Sequence, residues 1–186
     1  MLRIFFSLLI LFFLFVNPVY SARDTDSYDG NIYPIYAGNG SLVPPSSTLS
    51  ESLKNERTSV LVFYLDDSAV SKQYAPVVSG IKLLWSSSVD LIPLSIDELD
   101  NDDQKTFKDP GYYWHGKIPQ TVIIDGKGNV LLDEEGQVSF EDINDAISRG
   151  TGLKKPDFDL TVKSFNEYNS EPSKDGYTSP RGSKMQ

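Results

Sequence analysis

Between residues 46 and 152 the apolar positions alternate between strand-like and helix-like patterns. Val60 to Leu65 is continuously apolar over the length of one strand, as in a central strand covered on both faces. Before it, Leu49 and Leu53 lie one helical turn apart, and Ser46 or Ser47 can open a helix that closes near Arg57 to Ser59. After it, Val70, Tyr74, Val77, Val78, Ile81, Leu84 and Trp85 recur at helical spacing and predict a helix over 68–85. Pro76 lies inside that pattern, where it removes one backbone donor and is expected to kink the helix. Val89 to Ile96 reads as the next strand. Pro93 cannot donate to a ladder, so this strand is expected at an edge, or with that position turned outward.

Glu98 to Lys108 reads as a polar, acid-rich helix or turn. Gln120 to Asp125, the turn Gly126 to Asn129, and Val130 to Asp133 form a hairpin signal. Ser139 with Asp142 is a capping pattern opening a last helix, with Phe140, Ile143, Ala146 and Ile147 inward and Gly150 or Gly152 at its end. Helices alternating with strands and a closing hairpin predict an α/β fold. The roughly 110 residues of 46–152 are enough for one compact core.

The ends differ in character. Arg3 precedes Ile4 to Val16, an almost unbroken apolar run of about thirteen residues, shorter than the roughly twenty that span a bilayer. Asn17 and Pro18 end it, and Val19 to Ala22 offers small residues for cleavage, so residues 1–21 read as a secretory signal peptide cut after Ser21. Residues 22–45, rich in Gly, Pro, Ser, Asn and Tyr, read as an extended tether on which Tyr28, Tyr33 and Tyr36 can dock locally. Residues 153–186 read as a largely disordered polar tail in which Phe158, Leu160, Val162 and Phe165 stand out. The organisation expected is thus one domain flanked by flexible tails.

The formal net charge is −9, and loss of Arg3 with a leader makes it more negative. That balance repels nucleic acid and anionic lipid, and argues against either as a partner. Membrane association is expected only if the N-terminal segment is retained. The acids Asp97, Glu98, Asp100, Asp102 and Asp103 lack the glycine and terminal glutamate of a calcium loop and read as a solvated face. His115 stands alone as the one histidine, and there is no cysteine, so no metal site and no cofactor is expected.

Chemistry concentrates where the first strand meets its helix. Ser68-x-x-Ser71 opens the helix, Lys72-x-x-Ala75-Pro76 follows, and Ile118-Pro119-x-Thr121 lies about fifty residues downstream just before a strand. In this order and spacing the segments resemble the active-site end of the thioredoxin fold, where Cys-x-x-Cys opens the helix and a cis-proline faces it. The resemblance covers nearly all of 46–152 and implies a three-layer α/β/α fold with a central mixed sheet. It implies that Ile118–Pro119 is cis. Ser68, Ser71 and Pro119 then stand at degenerate active-site positions. The buried acid that active thioredoxins carry on the preceding strand corresponds to Val62 here.

A hydroxyl cannot form the thiolate or the mixed disulfide that thiol exchange requires, and no Ser-His-acid spacing activates either serine. Ser68 reads instead as a helix cap, a role that Asp66 or Asp67 can share. No catalytic residue is expected, and no autonomous thiol–disulfide oxidoreductase activity. The resemblance implies an exported, redox-inactive protein that binds a protein partner or extended peptide. The alternative is an oxidoreductase-related enzyme working with a partner's cysteine. Candidate partner-binding residues are Asp66, Asp67 and Ser68 on one side, and Tyr112, Tyr113, Trp114 and Gln120 on the other. The apolar N-terminus, the single domain, and the polar tail after Arg149-Gly150 are also similar to thylakoid thioredoxin-like proteins of cyanobacteria and chloroplasts, although those carry cysteines. That similarity implies a periplasmic or thylakoid-lumen location and a role as a chaperone or assembly factor for membrane protein complexes.

Overall fold

Burial on both faces makes Ser59–Tyr64 (β1) the centre of the structure. All six of its residues are buried, and successive side chains point to opposite sides of the sheet. The computed structural model describes residues 21–85, 87–99 and 105–156. The expected signal peptide and most of the polar tail, including Phe158 to Phe165, lie outside the described residues, as do Asp100, Asp102 and Asp103.

The sheet is completed by Asp90–Ser95 (β2), Gln120–Ile124 (β3) and Val130–Glu135 (β4), in the order β2-β1-β3-β4. β1 and β2 are parallel, β1 and β3 antiparallel, and β3 and β4 antiparallel with a bulge between Ile123 and Ile124. A parallel pair, joined by a helical crossover and extended by an antiparallel hairpin, is the mixed-sheet topology of a thioredoxin-like fold. β2 is an edge strand, which accommodates Pro93 opposite Val62.

Helices Ile32–Tyr36 (α1), Leu49–Lys54 (α2), Ala69–Trp85 (α3) and Phe140–Thr151 (α4) supply the outer layers. On one face of the sheet Val60, Val62, Tyr64 and Ile123 pack with Tyr74, Val78, Ile81, Trp85, Ile143 and Ile147. On the other, Leu61, Phe63, Val122 and Ile124 pack with Leu49 and Tyr113. Trp85 Nε1 donates to Asn144 Oδ1 at 2.6 Å, tying α3 to α4 by a buried bond.

The caps agree with local chemistry. Thr48, not Ser46 or Ser47, opens α2 in a reciprocal box with Glu51, because its hydroxyl accepts from the Glu51 N–H while the Glu51 carboxylate accepts from the Thr48 N–H. Ser139 caps α4, and Gly152 ends it at φ 71°, a conformation that suits glycine. α3 continues through Pro76. Val70 faces solvent, 44% exposed, whereas Ser71, Lys72 and Ala75 turn inward. In the acid-rich connection, the described residues form single helical turns at Ile96–Glu98 and Pro110–Tyr112.

The largest departure from expectation is at 22–45. This stretch packs on the domain through α1 and the turns Ala22–Asp24 and Gly40–Leu42. Ile32, Tyr33 and Leu42 are buried in the same core as α3 and β1. Few apolar residues are needed to do this, since two come from α1 and one from a turn, which is why no period betrayed it. Asn31 caps α1 by accepting from the Tyr33 N–H, and Asp66 Oδ1 accepts from the Ile32 N–H at 2.9 Å. Ile118–Pro119 is cis, as the resemblance implied, and so is Val43–Pro44.

Gly126 in the β3–β4 turn lies so close to Glu56 that an added Cβ would meet its carbonyl oxygen at 2.1 Å. Backbone cannot yield as a flexible side chain would. Gly126→Ala is therefore expected to cost about 1–3 kcal/mol, the range for overpacking. In urea unfolding this appears as a lower midpoint with an unchanged slope; an unchanged midpoint would show that the turn shifts freely.

Candidate functional site

At the C-terminal end of β1 the chain turns through Asp66 and Asp67 into α3. Ser68 holds the first turn in three ways. Its N–H donates to Leu65 O at 3.3 Å, its carbonyl accepts from Lys72 N at 3.0 Å, and its hydroxyl accepts from Ser71 N at 3.4 Å. Ser71 is almost fully buried, and its hydroxyl accepts from the Leu65 N–H at 3.3 Å. Both serines satisfy backbone donors at the helix start. Val62, fully buried beneath them, pairs across the sheet with Pro93 and Thr121.

The cis Pro119 is buried at the entrance to β3, with its carbonyl accepting from Gly136 N at 2.7 Å. Two residues on, Thr121 Oγ1 and the Tyr74 hydroxyl share a buried bond of 2.9 Å, joining β3 to α3. Burial pushes the Tyr74 phenol up to about 12, so it stays neutral at any physiological pH.

The aromatic loop separates into inward and outward residues. Tyr113 is buried and donates its hydroxyl to Phe107 O at 2.9 Å, while burial raises its pKa. Gln120 is fully buried. Its amide N–H donors reach Tyr113 O at 2.7 Å and Asp133 Oδ1 at 2.8 Å, and its oxygen accepts from His115 N at 3.0 Å. These two residues hold the loop against the sheet and have no surface to offer a partner, because the polar ends of Gln120 are all used internally. Trp114 is half-buried, its ring 5.3 Å from that of Phe63. Tyr112 projects outward, 56% exposed, edge-on to Tyr113. Since Phe63 pairs with Gln120 at the end of β1, this loop lies at the same end of the sheet as the helix start. Asp67 is exposed and Ser68 half-exposed. Asp66 is engaged in capping α1, and burial raises its carboxyl pKa.

His115 Nε2 lies 3.4 Å from Asp133 Oδ2, an exposed pairing on β4. It therefore sits with β4. Among the described residues no three His, Asp or Glu side chains gather to share a metal ion.

Lys72 is the residue that sequence reasoning missed. Its side chain is fully buried, and its ammonium donates to Ala22 O at 3.1 Å, Thr25 O at 3.0 Å, Ser27 O at 2.5 Å and Asp29 Oδ2 at 2.7 Å. The Tyr36 hydroxyl donates to the same Asp29 oxygen at 2.7 Å, and the Tyr36 ring lies 5.4 Å from the Lys72 nitrogen. Burial lowers the Lys72 pKa, but Asp29 and Tyr36 outweigh it and hold the amine above its ordinary value. A protonated lysine cannot serve Ser68 or Ser71 as a base. Asp29 in turn is held below the ordinary carboxylate range, first by Lys72 and then by Tyr36. The signal available in the sequence was three acids, Asp24, Asp26 and Asp29, ahead of the apolar pair Ile32 and Tyr33.

No family model matches the chain. Over 155 residues it is 42% identical to the thylakoid membrane protein slr1796 of Synechocystis sp., an alignment covering 81% of this chain and 76% of that protein. Among solved structures it is similar to an exposed lipoprotein thioredoxin of Streptococcus pneumoniae, at 14% identity and TM-score 0.43, covering 54% of this chain and 89% of that one. A mutant thioredoxin of Halobacterium salinarum gives 14% identity and TM-score 0.43, with 74% and 99% covered.

Two outcomes follow from this geometry. Ser68→Cys with Ser71→Cys should form a disulfide under oxidising conditions, yet reduce insulin slowly, because Val62 offers no carboxylate for proton transfer. Rapid insulin reduction would show that the cysteines alone were lacking. The second outcome concerns pH. Asp29, depressed when folded, stabilises docking of 22–29 above its ordinary value of 3.8, and that contribution is lost as pH falls through the depressed value. Lys72, raised when folded, contributes below 10.5, and its contribution is lost as pH rises through the raised value. Amide protection over 22–29 should hold between these limits and fall at both extremes; a maximum at one extreme would contradict the assignment.

Proposed function

The chain belongs to the family of the Synechocystis thylakoid membrane protein slr1796, and we propose that it is a redox-silent thioredoxin-like protein that binds a protein partner. The observation that carries this reading is a retained frame without thiols. Ser68 and Ser71 hold the first turn of α3, a cis Pro119 opens β3, and the chain has no cysteine. With both hydroxyls spent on backbone, the chemistry left at this end is shape, hydrogen bonding and aromatic area.

The contact surface in this reading is Asp67 and Ser68 on one side, and Tyr112 and Trp114 on the other. Aromatic side chains supply much of the energy at protein interfaces, and an extended peptide can pair with backbone beside a strand end. Tyr113 and Gln120 act behind them by fixing the loop. The relative's name supports a setting at the thylakoid, and the apolar N-terminal run supports export to the lumenal side. There the protein serves as a chaperone or assembly factor for membrane protein complexes.

The test uses capture from the membranes of the native source. Tyr112→Ala with Trp114→Ala should lower recovery of a partner at least fivefold and leave the melting temperature within a few degrees. Tyr113→Ala should instead destabilise the fold by about 3–5 kcal/mol, the range for a buried aromatic. Undiminished capture by the folded double variant would move the surface elsewhere. Insulin reduction by the natural chain would overturn the redox-silent reading outright.

A further inference from the structure

Residues 22–29 cross the first turns of α3 in a manner that resembles a bound peptide more than a packed segment. None of residues 21–30 is buried, whereas Ile32 and Tyr33 just beyond are core. What holds the stretch is polar recognition by one helix flank. Asp26 Oδ1 accepts from the Ala69 N–H at 2.8 Å, a helix-start donor with no partner on its own helix. Gln73 Nε2 donates to Asp24 Oδ1 at 3.1 Å, and Arg23 donates to Gln73 O at 3.3 Å. Lys72 collects main-chain carbonyls from Ala22, Thr25 and Ser27, plus the Asp29 carboxylate. Every one of these oxygens comes from the strap, and none from the helix that carries the lysine.

We infer that the flank formed by Ala69, Lys72 and Gln73 is a receptor for a short acidic peptide segment that wraps round the Lys72 ammonium, filled in this molecule by the chain's own residues 22–29. Main-chain carbonyls of Ala22, Thr25 and Ser27 converging on one ammonium select a backbone that turns round it, and acids at the positions of Asp24, Asp26 and Asp29 select its charge. Gly30, at φ 111°, stands between the strap and α1, where a backbone conformation open mainly to glycine lets the two part company. Contacts that bury no apolar side chain belong to the low-stability end of a structure, so the strap can leave without opening the core. Covalent attachment gives the strap a high effective concentration, so a partner's acidic segment must match this chemistry more tightly to displace it. The inference goes beyond the partner reading above and does not rest on it, since the receptor lies on the helix flank and not at Tyr112 and Trp114.

The experiment uses full-length chains, hydrogen exchange, and a labelled synthetic peptide of residues 21–31 followed by fluorescence anisotropy. In the natural chain, amides over 22–29 should exchange at least tenfold faster than those of 59–64, through local opening. Asp26→Ala with Asp29→Ala should remove protection over 22–29 by a further tenfold and leave 59–64 unchanged. That variant should bind the peptide at least tenfold more tightly than the natural chain does. Adding Lys72→Met should abolish the binding, and a scrambled peptide should not bind. The inference is overturned if strap and β1 lose protection together, making the strap part of the core. It is equally overturned if the acid variants leave the strap protected, if a freed strap is not replaced by peptide, or if the scrambled peptide binds as well.

Discussion

A buried ammonium must be given oxygen acceptors, and Lys72 imposes that constraint on residues 22–29. Removing an ion of this size from water costs several kcal/mol unless charge and hydrogen bonds replace the lost hydration. The flank of α3 offers none. The acceptors arrive from Ala22, Thr25, Ser27 and Asp29, more than forty residues away in sequence. Beyond them Tyr36 donates to Asp29, and α1 lies against α3 with Ile32, Tyr33 and Leu42 in the core. A stretch with the composition of a loop becomes an ordered cover because one cation cannot stay dry alone.

The end of the sheet beside this cover is held by hydrogen bonds. In place of two thiols, Ser68 caps the helix and Ser71 accepts from the Leu65 N–H. Val62 contributes packing where proton transfer would need a carboxylate. Tyr74 and Thr121 join helix to strand, and Gln120 joins the aromatic loop to β4. Stabilising this end and keeping it reactive are opposing demands, since a nucleophile needs an unspent lone pair and a path to solvent. Here hydrogen bonding holds the helix start, while Tyr112 stays exposed and Ser68 half-exposed.

The chain by itself determined the strand β1, the helix after it, the closing hairpin and α4, because each carries a period or a cap that depends on near neighbours. A continuous apolar run reads as a doubly covered strand wherever it occurs, and Ser139 with Gly152 brackets a helix by local hydrogen bonding alone. The spacing of Ser68, Lys72, Pro76 and Pro119 carried the fold, and the degenerate positions with it. What only the tertiary structure decided is the fate of residues whose partners are distant. Lys72, read in the sequence only as part of the Lys-x-x-Ala-Pro spacing, is dry because carbonyls from another part of the chain surround it. Gln120 and Tyr113, two of four loop residues that looked alike in sequence, face inward, because Asp133 and Phe107 supply polar partners there. Residues 22–29 lie on α3 because it presents a charge for them to satisfy, and 32–42 because Ile32, Tyr33 and Leu42 reach the core. Periodicity records which side of an element is apolar; it holds no record of which remote oxygen will meet a buried cation.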